Sequence, residues 1–201
     1  MKRKVRYEAT PERREELNEL SSFFRDPPVT AAASAAADPW EAHDIESPTS
    51  MSGRFTEAKH ALSYIRAGKG TITLRSRATG NRFTYKLTLK ENDNPGPRGN
   101  PVFVKLLTGS DNNSDYAYLG QFFTGQNVYW HGKKSRIGHD APGAKAFDWS
   151  FQQLSKGHLP EQLEIWHGGC CGRCGRKLTV PESVQSGFGP ECVQKVSAIR
   201  Y

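Results

Sequence analysis

The chain has 201 residues, of which 36% are hydrophobic, 24% charged and 10% aromatic, with a net charge of +7. That composition describes a folded, water-facing protein with room for one core and a small appendage. There is no run of roughly 18 apolar residues, which excludes a helical membrane span.

No apolar stretch follows the basic start Met1-Lys2-Arg3-Lys4-Val5-Arg6, so a chain without secretory signal, in a reducing cytoplasmic setting, is expected. Thr10 caps a helix over 10–24, with Pro11 at its first position and Leu17, Leu20, Phe23 and Phe24 as its apolar stripe. Pro27-Pro28 stops it, which makes 1–26 an N-terminal helical unit and a surface for a protein partner. Residues 27–52 are rich in alanine, proline and serine and read as a flexible linker. Residues 1–50 hold 7 Lys/Arg against 10 Asp/Glu, a net −3, whereas 51–201 hold 21 against 11, a net +10. The basic character belongs to the folded part, and a basic domain points to nucleic acid or to an acidic protein surface.

An α+β domain is expected over 53–160, an antiparallel sheet with flanking helices. Its first helix runs from Glu57 to Ala67, with Thr56 as N-cap and Gly68 just past the end. A hairpin follows, 71–75 against 82–90 around Thr79-Gly80-Asn81, and both arms alternate apolar and polar residues. After an exposed loop at 91–101, strands are expected at 102–107, 116–123 and 128–130, four or five in all. Ala141-Pro142 opens a second helix that ends at Gly157.

All four cysteines fall in 161–201, read as a zinc-binding domain. A clustered set in a reducing compartment serves a metal or redox chemistry rather than disulfides. Cys171-x-x-Cys174 has the spacing of a zinc knuckle, and Cys192 follows in the first turn of a helix opened by Pro190, where the helix dipole favours a thiolate. A redox C-x-x-C would follow a strand and open a helix of a βαβ unit, and this one does neither. The fourth ligand is read as His167, at the end of the strand-like 163–166, with Cys170 as the alternative. Neighbours in an extended chain point apart, which disfavours ligation by both Cys170 and Cys171. One structural Zn2+ is expected, with Arg173, Arg176 and Lys177 beside it either to offset the thiolate charge or to contact phosphate.

The segments Cys171-Gly172-Arg173-Cys174-Gly175-Arg176-Lys177-Leu178-Thr179, Pro181-Glu182-Ser183 and Gly187-Phe188-Gly189-Pro190-Glu191-Cys192 resemble a small zinc domain of unknown function. That domain recurs in bacterial and bacteriophage proteins. The resemblance covers about 30 residues, and implies a treble-clef-like finger and a phage or mobile-element setting, but no activity. Residues 54–166, with Leu107-Thr108-Gly109 and the run from Asp115 to Gly120, are similar to the region that precedes this finger in such proteins.

With Ile72, Leu74, Phe83, Tyr85, Leu87 and Leu89 inward, the other face of the hairpin shows Arg75, Arg77, Arg82, Lys86 and Lys90 and no carboxylate. Such a face can track phosphates; the competing reading is a solvated face balanced by carboxylates from elsewhere. The stretch 129–136 adds Lys133, Lys134 and Arg136 on an exposed loop beside Tyr129 and Trp130, with Trp130 read as core. The proposed nucleic-acid contacts are therefore Arg75, Arg77, Arg82, Lys86, Lys133, Lys134, Arg136, Arg173 and Arg176. Asp111, Asp115, His131, His139 and Asp140 would have to converge to make a metal-dependent nuclease, and no spacing forces them to. No nucleophile elbow, phosphate-cradling loop or H-E-x-x-H is present. A non-enzymatic zinc protein that binds nucleic acid is the expectation. A protein-interaction factor acting on a host or defence complex is the alternative, and a nuclease the third reading.

Overall fold

A computed structural model describes residues 53–197; the expected helix at 10–24, the linker at 27–52 and residues 198–201 lie outside the described residues. Among the described residues, seven strands form one antiparallel sheet: β1 (Arg54–Phe55), β2 (Thr71–Ser76), β3 (Arg82–Leu89), β4 (Pro101–Leu107), β5 (Tyr116–Phe123), β6 (Tyr129–His131) and β7 (Leu163–His167). Their spatial order is β1-β7-β2-β3-β4-β5-β6. Helix α1 (Ala58–Ala67) links β1 to β2, and α2 (Pro142–Ser155) links β6 to β7. Two short helices, α3 (Pro181–Ser186) and α4 (Pro190–Ser197), follow.

The hairpin forms as its period-two pattern requires, with Thr71 opposite Lys86 and Arg75 opposite Arg82. The sheet is wider than expected for two reasons. β1 has only two residues, too few to show a period. β7, assigned from the sequence to the zinc-binding part, inserts between β1 and β2, pairing Ile165 with both Phe55 and Leu74. The sheet therefore runs to within three residues of Cys170. Helix α1 starts one residue later than expected, with Glu57 rather than Thr56 at the N-cap and no side-chain capping bond, and it ends on Gly68 at φ 70°. β6 begins at Tyr129 instead of Val128.

Both long helices pack on one face. Tyr85, fully buried in β3, donates its hydroxyl to the Gly143 carbonyl of α2 at 2.7 Å, and its ring lies 5.1 Å from that of Phe147. Phe147 also meets Tyr129 at 5.1 Å and stacks on Phe151 at 6.1 Å. Burial, with a smaller push from Tyr129, holds the Tyr85 hydroxyl far above the usual phenol range, and burial, then Asp148 and Tyr118, do the same for Tyr129. Phe147→Ala removes the ring that three others share and is expected to cost about 3–5 kcal/mol, read as a lower urea midpoint with unchanged secondary structure.

Candidate metal centre and nucleic-acid interface

The chain leaves β7 and folds at once into a tight loop. The Leu178 amide donates to the Gly169 carbonyl at 2.8 Å, Cys170 bridges to Lys177, and the Cys171 amide donates to the Arg176 carbonyl at 2.7 Å. Gly175 turns this loop at φ 77°, its amide donating back to the Cys171 carbonyl at 2.8 Å. The loop points Cys171 and Cys174 at the start of α4, where Cys192 sits in the first turn. The three Sγ atoms all lie within 4.8 Å of one another.

A tetrahedral ion with Zn–S bonds of about 2.3 Å holds its sulfurs about 3.8 Å apart, inside the 4.8 Å within which these three lie. The electrostatics fit as well. Burial opposes ionisation of Cys171, but backbone amides of Gly189, Cys174 and Arg173 donate to its sulfur and together hold the thiol below its ordinary value. Burial, and then hydrogen bonds with Cys174 and Cys171, hold the Cys192 thiol up, as expected of sulfurs that share protons until a cation replaces them. All four cysteines are free thiols. Three close cysteines on a knuckle loop and a helix start can hold a metal ion.

His167 is not part of this cluster. In β7 it pairs with Ile72 and faces the helix side of the sheet. Its Nε2–H donates to the Val184 carbonyl at 2.6 Å and its Nδ1 accepts from the Gly169 amide at 3.1 Å, so neither nitrogen is left for a metal. Burial lowers its pKa, against a smaller opposing pull from the Val184 carbonyl, and the ring is neutral. Cys170, the alternative, is likewise not among the three clustered sulfurs, while its backbone carbonyl accepts from the Tyr64 hydroxyl at 2.9 Å. Among the described residues no fourth His, Cys, Asp or Glu joins Cys171, Cys174 and Cys192. His167→Ala is expected to leave one metal per chain while lowering stability by about 2 kcal/mol for the lost buried hydrogen bonds. Metal analysis beside a melting curve separates the two effects, and loss of the metal would return His167 to the ligand set.

His167 helps instead to dock the cysteine-bearing segment. Tyr64 of α1, fully buried, lies 5.3 Å from the rings of Phe55 and His167 and 5.9 Å from Phe188. Gly187 caps α3 at φ 78° against this cluster, where a Cβ would come within 2.6 Å of the Tyr64 ring.

Residues 167–197 match a family model described as a family of unknown function (DUF6011). No curated protein and no solved structure matches the chain. The DUF6011 segment thus begins on the last residue of β7 and contains all three clustered cysteines.

The strand register sorts the remaining candidates. Arg75, Arg82 and Lys86 share the face opposite the helices, as expected, and Arg54 and Lys105 join them. The expected absence of a carboxylate does not hold. β7 carries Glu164 to this face opposite Arg75, and Glu164 accepts from Arg77 Nε at 2.9 Å, Arg75 Nη1 at 3.4 Å and Trp166 Nε1 at 3.4 Å, with Arg54 at 3.6 Å. The Arg77 hydrogen bond, foremost, keeps its carboxyl below the usual range. Arg75 and Arg77 still expose about half of their side chains. Glu164 is the one acidic residue in any of the seven strands.

Lys134 and Arg136 line a hollow with Tyr116 and Tyr118, and Lys86 stands 5.3 Å over the Tyr116 ring. Lys133 is exposed on the same loop. Trp130 is not core: Tyr129 pairs with the buried Phe122 and turns inward, and Trp130 faces out at 38% exposure. Arg173 and Arg176 are exposed on the DUF6011 segment, Arg173 lining a separate cleft with Arg66, Lys69 and Cys174. Asp111 and Asp115 close their own turn through Ser114, and His131 bonds the Ile137 carbonyl. These carboxylates and imidazoles do not converge on a metal.

Lys105 and the outward aromatics Phe103, Tyr116, Tyr118, Phe123 and Trp166 were missed by the sequence reading. Their signal was visible: β4 and β5 place aromatic residues where a solvated strand would carry polar ones.

Proposed function

We propose that this is a non-enzymatic nucleic-acid-binding protein whose C-terminal part, 161–201, is a treble-clef-like finger built on one structural Zn2+. Thiolate-only ligation by Cys171, Cys174 and Cys192 favours zinc over the hard cations. Bound there, the ion would hold the knuckle loop to the start of α4, where the backbone amides already favour thiolate. The phage or mobile-element setting rests on the motif resemblance.

One observation carries the binding reading. The outward sheet face presents five Lys/Arg from its strands against a single carboxylate that is itself 6% exposed, while the helix face presents none. Arg82, Lys86, Lys105, Lys134 and Arg136 make no ion pair among the described residues, although Asp115 lines the hollow that Lys134 and Arg136 share. A cationic face of this extent suits a polyanion, and a phosphate backbone supplies one. Fluorescence anisotropy with labelled oligonucleotides at low and physiological salt tests the reading. Salt-sensitive binding is the expected result, and its absence with both DNA and RNA removes the proposal.

A further inference from the structure

We infer that the nucleic acid bound on the outer sheet face is single-stranded, held by stacking of unpaired bases on the aromatic side chains of β4, β5 and β6. The inference rests on the nucleic-acid reading above and names the substrate class.

On the strands that lie farthest from Glu164, the outward residues include several aromatic rings. Phe103 of β4 and Tyr118 of β5 are 6.2 Å apart between ring centroids, and Phe123 of β5 and Trp130 of β6 are 5.7 Å apart. All four are half-buried or exposed, and the register joins Phe103, Gln121 and Trp130 in one row across the three strands. α1 and α2 lie on the opposite face, so these rings owe their placement to no helix packing. Solvated positions of an antiparallel sheet ordinarily carry polar side chains. Contiguous aromatic surface left exposed marks an interaction site.

The charge around the rings sets the partner. Lys105 lies beside Tyr118 in register, Lys86 sits over Tyr116, and Arg98 sits 5.9 Å over Phe123. Lys134 and Arg136 rim the hollow next to Tyr116 and Tyr118, two cations against one carboxylate, Asp115. An apolar protein partner would not require this cationic rim, whereas a polynucleotide satisfies both halves, phosphates on the cations and bases on the rings. A duplex satisfies only the first. Its bases are stacked on one another, and its major groove admits a helix or a two-stranded ribbon rather than a broad sheet. Unpaired bases present free π-faces, each worth a substantial part of the affinity when stacked on an aromatic side chain.

The test uses the full-length protein and a mixed-sequence single-stranded DNA, its RNA counterpart and the matching DNA duplex, compared by anisotropy at one salt concentration. Either single strand is expected to bind at least tenfold more tightly than the duplex. Trp130→Ala and Tyr118→Ala are each expected to weaken single-strand binding about tenfold and leave duplex binding unchanged, while Trp130→Phe retains most of the affinity. Circular dichroism and thermal midpoints of the variants confirm that the sheet persists. Equal or tighter duplex binding overturns the inference, as does single-strand affinity indifferent to both alanine variants. If Lys86→Gln still weakens binding in that case, the electrostatic reading survives and only stacking is lost. No binding of any probe removes both.

Discussion

Cys171→Ser is expected to abolish metal binding and unfold the segment after β7, while the sheet and its two long helices persist. The reason is how little core this segment owns. Its buried apolar side chains are Leu178, Val184, Phe188 and Val196, with Cys171 itself, and the short helices α3 and α4 have six and eight residues. A segment of about thirty residues with so small a core does not fold without a staple. In comparable zinc-finger peptides the ion contributes an apparent 10–16 kcal/mol, roughly, at neutral pH. The sheet core around Tyr85, Phe122, Phe147 and Phe151 is independent of the cysteines. Hydrogen exchange of wild type with and without chelator, beside the Cys171→Ser variant, reads this directly. Amides after Gly168 should lose protection in both cases, whereas those of β2–β5 should keep it. Uniform protection throughout would mean that Tyr64, Phe188 and Gly187 dock the segment without an ion.

Binding to single-stranded DNA is expected to weaken about a hundredfold between 50 and 200 mM salt, if some five phosphates are neutralised. The five cations that make no ion pair among the described residues, Arg82, Lys86, Lys105, Lys134 and Arg136, set that number. Each replacement by glutamine should reduce the slope of log affinity against log salt by about 0.7. Arg75 and Arg77 should matter less, because Glu164 already holds both guanidinium groups. A series of anisotropy titrations over salt distinguishes these cases. Equal slopes for Lys105→Gln and wild type would place the phosphates elsewhere on the protein.

Local pattern carried most of the elements. The alternation in 71–76 and 82–89, the Thr79-Gly80-Asn81 turn and Gly68 at the end of α1 are short-range signals, and the structure follows them. What was not legible came from pairing with other strands. Glu164 reaches Arg75 and Arg77 across 87–89 residues of chain, because β7 inserts beside β2, and nothing in the hairpin announces it. The same register faces His167 toward Val184, so a plausible spacing from Cys171 does not make it a ligand. Pairing of Tyr129 with the buried Phe122, and of Trp130 with Gln121, decides which of Tyr129 and Trp130 is core, and that register comes from β5. The knuckle and Cys192 were readable because Gly175 and Pro190 fix short-range geometry that needs no distant partner.

The central claim, that the outer sheet face receives a polyanion, is tested most directly by lysine footprinting. The free protein and its complex with a single-stranded oligonucleotide are acetylated and compared by mass spectrometry. Lys86, Lys105 and Lys134 should become protected in the complex, while Lys145 and Lys156 at the α2 side keep their reactivity. Protection of Lys145 and Lys156 with unchanged Lys86 and Lys105 would contradict the account.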